Sequence, residues 1–254
     1  MEIRFDNKIV VATGASRGIG RAIAKQFALS GATIAAHYNS NHEAAKSLLA
    51  GLPGNCHSCL PADLSDPADI EKLYMAVIMQ YGRIDILVNN AGVFEEDDMA
   101  SMTPADFRAY WNHTIAVNLS GPAFLSHFVS AGMVKQKGGK IVNISSRGAF
   151  RGEPDAWAYG ASKAGLNSLS QSMAKSLAPH GVSVFTLAPG FVETDMAASC
   201  LKGRRKKEIL SQSPLSRIAS PEEIARAVLM LCADGNDYMT GCIVDMNGAS
   251  YLRS

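Results

Sequence analysis

Tyr159 and Lys163 stand four residues apart, and Ser146 precedes the tyrosine by thirteen residues. A four-residue step on a helix puts two side chains on one face, one turn apart. A free phenol has a pKa of about 10 and exchanges its proton sluggishly at neutral pH. An ammonium a few ångströms away favours the phenolate, so Lys163 is expected to lower the Tyr159 pKa and make it a usable general acid/base. Ser146 closes the strand-like run KIVNISS, where its hydroxyl can donate to an oxygen on which charge develops. Ser145, directly before it, is the fallback. A lone Tyr-x-x-x-Lys is equally an ordinary helix face, so its meaning depends on its company.

That company begins with Gly14-Ala-Ser-Arg-Gly18-Ile-Gly20, which joins a first apolar run to a first helical pattern. Glycines at a strand–helix turn let backbone N–H groups approach a pyrophosphate, and a helix N-terminus favours the anion. The spacing is G-x-x-x-G-x-G rather than G-x-G-x-x-G. Asn89-Asn90-Ala91-Gly92 ends another strand pattern and is either a polar turn or one wall of a ligand crevice. Asn118 lies among apolar residues, where its amide must either bond backbone or hold a water. Enzymes that use NAD place an acid at the end of the second strand to bond the ribose 2′-OH. Here that end reads His37-Tyr38-Asn39-Ser40-Asn41, without a carboxylate, and Arg17 sits in the glycine turn. A guanidinium there suits a 2′-phosphate, so NADP(H) is favoured over NAD(H).

The elements that must position these groups alternate. KIVVATG, TIAAHY, CHSCLPADL, IDILVNNAG, KIVNISS, VSVFTLAPG and GCIVDMNG read as strands, separated by helical patterns. Thr103 to about Lys137 reads as helical, and the Tyr159 helix runs to about Pro179. Such alternation predicts an α/β, doubly wound fold: one parallel sheet with helices on both faces, in a single domain spanning residues 1–254. Residues 191–213 are polar and weakly periodic, and a stretch of that length after a strand reads as a substrate lid.

The composition narrows the function classes. The chain has 254 residues, 47% hydrophobic, with a formal net charge of +1, so charge makes no case for nucleic acid or a membrane surface. No apolar run approaches the roughly 18 residues that span a bilayer. The stretch MEIRFDNKIVVATG carries acids and no long apolar region, so it does not read as a signal peptide. Five scattered cysteines, Cys56, Cys59, Cys200, Cys232 and Cys242, do not make a disulfide framework, and the single C-x-x-C at 56–59 has no second pair to complete a zinc site. No metal is expected, and the location expected is cytoplasmic.

Taken together, TGASRGIG (13–20), NNAG (89–92), Asn118, Ser146, YGASK (159–163) and PGFVET (189–194) resemble the short-chain dehydrogenase/reductase family over almost the whole chain. The resemblance implies a seven-stranded Rossmann fold and a catalytic tetrad of Asn118, Ser146, Tyr159 and Lys163. In that scheme Tyr159 passes the proton, Lys163 also holds the nicotinamide ribose, and Asn118 orders a relay water. The cofactor contacts implied are Gly14, Ser16, Arg17, Gly18, Ile19 and Gly20 in the turn, then Tyr38, Asn39 and Ser40. Asp63 and Leu64 would sit at the adenine, and Asn90, Ala91 and Gly92 beside the crevice. Pro189, Gly190, Val192 and Thr194 would meet the nicotinamide end. A homotetramer, or at least a dimer, is implied as well.

The activity so implied is NADP(H)-dependent interconversion of a carbonyl and a secondary alcohol. The substrate remains open between a 3-oxoacyl-carrier-protein thioester and a sugar or polyol, and a nucleotide-sensing binding protein is the alternative from another class. Candidate substrate contacts are Phe94 to Asp98, Arg147 to Trp157 and the segment after Gly190. The basic run Lys202, Arg204, Arg205, Lys206 and Lys207 is either a solvated face or a landing site for an anionic substrate.

Overall fold

Alternate residues of each strand face opposite layers, and this alternation builds two cores. Val10, Ala12, Ile34, Ala36, Val88, Val142, Ile144, Phe185 and Leu187 face one layer, while Val11, Ala35, Leu87, Ile141 and Val184 face the other. The computed structural model describes residues 3–195 and 203–253. Its seven strands are β1 (Ile9–Ala12), β2 (Thr33–Tyr38), β3 (Ser58–Pro61), β4 (Ile86–Asn89), β5 (Gly139–Ile144), β6 (Val182–Pro189) and β7 (Ile243–Met246). They form one parallel sheet in the order β3-β2-β1-β4-β5-β6-β7.

On the first face lie α1 (Gly18–Leu29) and α9 (Pro221–Cys232), which bring Ile23, Phe27, Ile224 and Val228 to the sheet. The second face is covered by α3 (Pro67–Tyr81), α5 (Gly121–Gln136) and α7 (Trp157–Leu177), through Ile70, Leu73, Leu125, Val129, Met133 and Ala174. The remaining helices are α2 (His42–Ala50), α4 (Pro104–Ile115), the single turn α6 (Gly148–Arg151) and α8 (Gly203–Ser211). Strand order reverses between β1 and β4, and a crevice opens there at the carboxyl ends of the strands, the place where such sheets bind ligands.

Three local expectations change. The helical stretch from Thr103 is not continuous: α4 and α5 are joined by a π-helical turn over Ala116–Ser120, in which Gly121 N–H donates to the Ala116 carbonyl. The third strand is confined to Ser58–Pro61, because Cys56 takes a left-handed backbone (φ 66°) before it. Part of the polar segment after β6 forms α8, while residues 196–202 of the expected lid, Cys200 and Lys202 among them, lie outside the described residues.

A chain of buried amides ties the sheet to its second layer. Asn89 Nδ2 donates to Ser126 Oγ (2.9 Å) and to Asn143 Oδ1 (2.8 Å), and Asn143 Nδ2 donates to Ser170 Oγ (2.8 Å). The path crosses β4, α5, β5 and α7 through side chains that are all buried, so each donor depends on its protein partner. Asn143→Leu is expected to leave the Asn89 amide short of an acceptor, destabilising the fold by about 1–3 kcal/mol. Calorimetry should register a Tm several degrees lower, and an unchanged Tm would show that the network does not contribute.

Candidate active site

At the crevice the glycine turn is held from below. Gly14 has φ 63° and its N–H donates to His37 Nδ1 (3.1 Å), while His37 Nε2 bonds the Ala62 carbonyl (3.0 Å). These two bonds set the tautomer: Nε2 carries the hydrogen and Nδ1 accepts. Burial pushes the His37 pKa down, so the ring stays neutral. Asn90 donates to the Thr13 carbonyl (2.8 Å) and receives support from Thr13 Oγ1 at its own N–H (2.9 Å). A Cβ at Gly20 would stand 2.3 Å from the Gly14 carbonyl oxygen, so only glycine closes this turn onto α1.

The cleft above encloses about 630 Å³. Gly14, Ser16, Arg17, Gly18 and Ile19 line one end, with Asn39, Ser40, Asp63 and Leu64 beside them. Asn90, Ala91 and Gly92 form the middle, and Pro189, Gly190, Val192 and Thr194 the wall toward Ser146, Tyr159 and Lys163. Gly20 lies beneath the turn rather than on the surface of the cleft. Tyr38 departs from expectation. It is buried, its hydroxyl bonds His42 Nδ1 (2.6 Å), and it does not line the cleft, because the strand alternation turns it to the layer below.

The chemical end is assembled by β5, α7 and the turn after β4. Tyr159 is in the first turn of α7, whose start has no side-chain cap; instead the phenol of Tyr110 accepts the Ala158 N–H (3.2 Å). The Ser146 hydroxyl accepts the Gly148 N–H (3.0 Å) and lies beside the Tyr159 phenol. Ser145 turns away, its hydroxyl donating to the Lys163 carbonyl (3.3 Å). Phe94 meets the Tyr159 ring edge-on at 4.8 Å. Lys163 is buried, donates from Nζ to the Ile144 carbonyl (2.9 Å), and sits 5.8 Å from the Tyr159 ring centre.

The electrostatics depart from the sequence expectation. Burial raises the Tyr159 pKa, against the neighbouring Ser146 hydroxyl that lowers it, and the Glu153 charge adds to the rise. Burial also brings Lys163 down to about 8, so the ammonium is weakened by the same desolvation it was expected to relieve. Asn118 is fully buried and faces no cleft: its Oδ1 accepts Val93 N–H (2.8 Å) and its Nδ2 donates to the Val93 carbonyl (2.9 Å). Of the two options open to that amide, its side chain takes the backbone. A Cβ at Gly92 would lie 3.1 Å from Asn118 Oδ1 and 3.5 Å from Lys163 Nζ, which makes this glycine the spacer between them.

Beyond Tyr159 the cleft is polar. Glu96, Arg147, Arg151, Glu153, Asp155 and Gln212 line it, with Phe94, Phe191 and Ile209 as its apolar members. Trp157 is exposed and its ring N–H donates to the Pro154 carbonyl (2.7 Å), outside the lining. Arg205, on α8, forms an ion pair with Glu96 across the mouth. Lys206 and Lys207 are exposed, as a solvated face would have them. Sequence reasoning missed His37 as a support, which gave no signal beyond its place at the end of β2; Gln212, by contrast, falls within the segment after Gly190 expected to line the cleft.

The family model described as Enoyl-(Acyl carrier protein) reductase matches residues 14–248. The chain belongs to the short-chain dehydrogenase/reductase family. It is an oxidoreductase of that family, acting between a carbonyl and a secondary alcohol with a nicotinamide dinucleotide. The 3-oxoacyl-(acyl-carrier-protein) reductase FabG of Escherichia coli is 37% identical over 250 residues, covering 98% of this chain and 100% of that protein. A gluconate 5-dehydrogenase from Beutenbergia cavernae, described as putative NAD(P) dependent and solved with bound NADP at low occupancy, superposes with a TM-score of 0.90 at 30% identity, covering 98% of this chain and 99% of its own. A short-chain dehydrogenase from Burkholderia cenocepacia, solved in complex with NADP, gives a TM-score of 0.88 at 30% identity over 97% and 99% of the two chains. None of the described helices in this dehydrogenase/reductase is long and apolar enough to cross a membrane, and no His/Cys/Asp/Glu cluster suited to a metal occurs among the described residues.

The buried ammonium gives a measurable linkage. Lys163 titrates at about 8 when folded and near 10.5 when unfolded, so the fold carries the full cost of charging it below pH 8 and loses that cost as pH rises toward 10.5. Lys163→Met is therefore expected to shift stability in its own favour by about 2–3 kcal/mol more at pH 7 than at pH 10. Denaturant melts of both proteins at the two pH values check this, and a pH-independent difference would refute the shift.

Proposed function

We propose that the chain is an NADP(H)-dependent reductase in which Tyr159 supplies the proton to a substrate carbonyl held by Ser146. The observation that carries this reading is the convergence of the Ser146 hydroxyl and the Tyr159 phenol beside buried Lys163, at the far end of a cleft that begins at the glycine turn. The cleft fits a dinucleotide by its own chemistry: left-handed glycines at 14 and 18 shape the turn that leads into the N-terminus of α1, which favours an anion, and the lining is continuous from there to Tyr159. A bound nicotinamide would supply the hydride to the carbonyl carbon, or accept it in the reverse direction. Ser146 Oγ then donates to the carbonyl oxygen, and the Tyr159 phenol gives that oxygen its proton as the π electrons move onto it. Positive charge on Lys163 stabilises the phenolate left behind, and Asn118 keeps Val93 and the Gly92 turn in register with it.

Preference for the phosphorylated dinucleotide rests on charge. Arg17 is exposed at the turn, facing Asn39, Ser40 and Asn41, and the end of β2 offers no carboxylate to repel a 2′-phosphate. Reduction of a thioester is a second reading, favoured by the name carried by full-length relatives. We take the protein as one cytoplasmic domain that forms a dimer or tetramer, without a nucleic-acid partner. Exposed Trp111 and Phe124 on α4 and α5 supply apolar surface for such an assembly.

Tyr159→Phe removes only the proton donor. Turnover is expected to fall at least about a thousandfold, at the upper end of what general acid catalysis contributes, while NADPH binding by fluorescence is retained; retained turnover would end the assignment. Arg17→Ala is expected to weaken NADPH by about 10- to 100-fold, the range of a charge-assisted contact, and NADH little. Titration of both cofactors measures this, and equal losses would remove the phosphate argument.

A further inference from the structure

We propose that the substrate carries a carboxylate, gripped by Arg147 and Arg151 beside the reacting carbonyl. The proposal rests on the reductase reading above and names the substrate class of the same cleft. Arg147 follows Ser146 directly and is 3% exposed. Its Nη1 donates to Ser250 Oγ (2.5 Å), its Nη2 donates to Gln212 Oε1 (2.6 Å), and its guanidinium lies over the Phe191 ring at 4.9 Å. Both hydrogen-bond partners are neutral, and among the described residues no carboxylate is in ion-pair contact with it. A buried cation ordinarily pairs with an anion.

The second guanidinium sharpens the case. Arg151 Nη1 donates to the same Gln212 oxygen (3.3 Å), and its Nε stands 3.7 Å from Glu153 Oε1. Two guanidiniums thus converge on one uncharged amide oxygen, an arrangement that like-charge repulsion disfavours and a carboxylate would relieve. Repulsion from Arg151 adds to burial in lowering Arg147 to about 10. Glu153 is the carboxyl within ion-pair range of Arg151, and burial raises its pKa.

All four side chains line the cleft on the side of Tyr159 away from the glycine turn. A carboxylate taking the place of the Gln212 oxygen would accept N–H groups from both arginines, the fork geometry guanidinium is built for. Gln212 directly follows α8, so its displacement would be felt by the helix that spans the mouth. An acyl thioester offers no matching charge, because its phosphates lie far from its carbonyl.

The test compares NADPH-dependent reduction of 2-oxobutanoate, 3-oxobutanoate and 4-oxopentanoate with that of their methyl esters, and of an acetoacetyl thioester. One acid is expected to exceed its ester in kcat/KM by about 10- to 100-fold, the worth of a charge-assisted hydrogen bond. Arg151→Gln, at an exposed position, should lower that acid-to-ester ratio about tenfold, and Arg151→Lys should recover part of it. The same acid should raise the Tm of the NADP-bound protein, and Arg151→Gln should abolish the rise. An ester or thioester preferred over every acid, or a ratio unmoved by Arg151→Gln, overturns the carboxylate subsite and leaves the reductase reading intact. No turnover of any carbonyl would instead strike at that reading, and the Tm shift would then decide the anion site alone.

Discussion

A single ammonium buried beneath the carboxyl edge of a parallel sheet sets the terms for the whole cleft. Lys163 keeps its charge there only through one backbone carbonyl, that of Ile144 at the end of β5. To bring Nζ to that carbonyl, α7 must lie close on β5 and β6, and the turn after β4 must leave room for the side chain. Gly92 leaves it, since any larger residue would press on Lys163 and Asn118 together. Asn118 in turn fixes Val93 through both amide atoms, and it can do so because the π turn between α4 and α5 rotates it inward. The local geometry of four elements thus follows from the need to hold one desolvated charge.

The rest of the second layer stiffens this arrangement. The Asn89–Asn143–Ser170 path fixes β4, β5 and α7 against one another just below the site. A fully satisfied buried polar chain discriminates among packings more sharply than apolar contact does, because a slip of one residue would orphan several donors at once. Tyr110 adds a tie from α4 to the start of α7, so Tyr159 is positioned from two sides. The Ser146 hydroxyl and the Lys163 ammonium are each held by backbone, at the Gly148 N–H and the Ile144 carbonyl.

What was legible in the sequence depended on whether local spacing carried the information. Strand and helix alternation, the glycine turn, and the helical step from Tyr159 to Lys163 are all short-range patterns, and the fold reproduces them. The choice of Ser146 over Ser145 rests on the family's spacing to the tyrosine, not on a pattern of the strand, since both serines follow the end of β5. Tyr38 was misplaced because its strand parity was subordinated to its position near the glycines. The fall in the Lys163 pKa and the rise in that of Tyr159 were not legible, because desolvation depends on what packs from distant parts of the chain. The bonds of His37 to Gly14 and of Arg147 to Ser250 and Gln212 belong to the same category: they span 23, 103 and 65 residues, and no periodicity records such pairings.

The imidazole under the glycine turn has a further consequence, for the behaviour of the protein toward acid. His37 can accept the Gly14 N–H only while neutral, and its pKa lies below that of a free imidazole, with the Asp63 charge opposing the shift only in part. A group with a depressed native pKa withdraws stability as pH falls below its unfolded value. Proton uptake at His37 is therefore linked to release of Gly14, and hence to loosening of the glycine turn. Acid thus acts first on the glycine-turn end of the cleft, while burial keeps the Tyr159 phenol protonated.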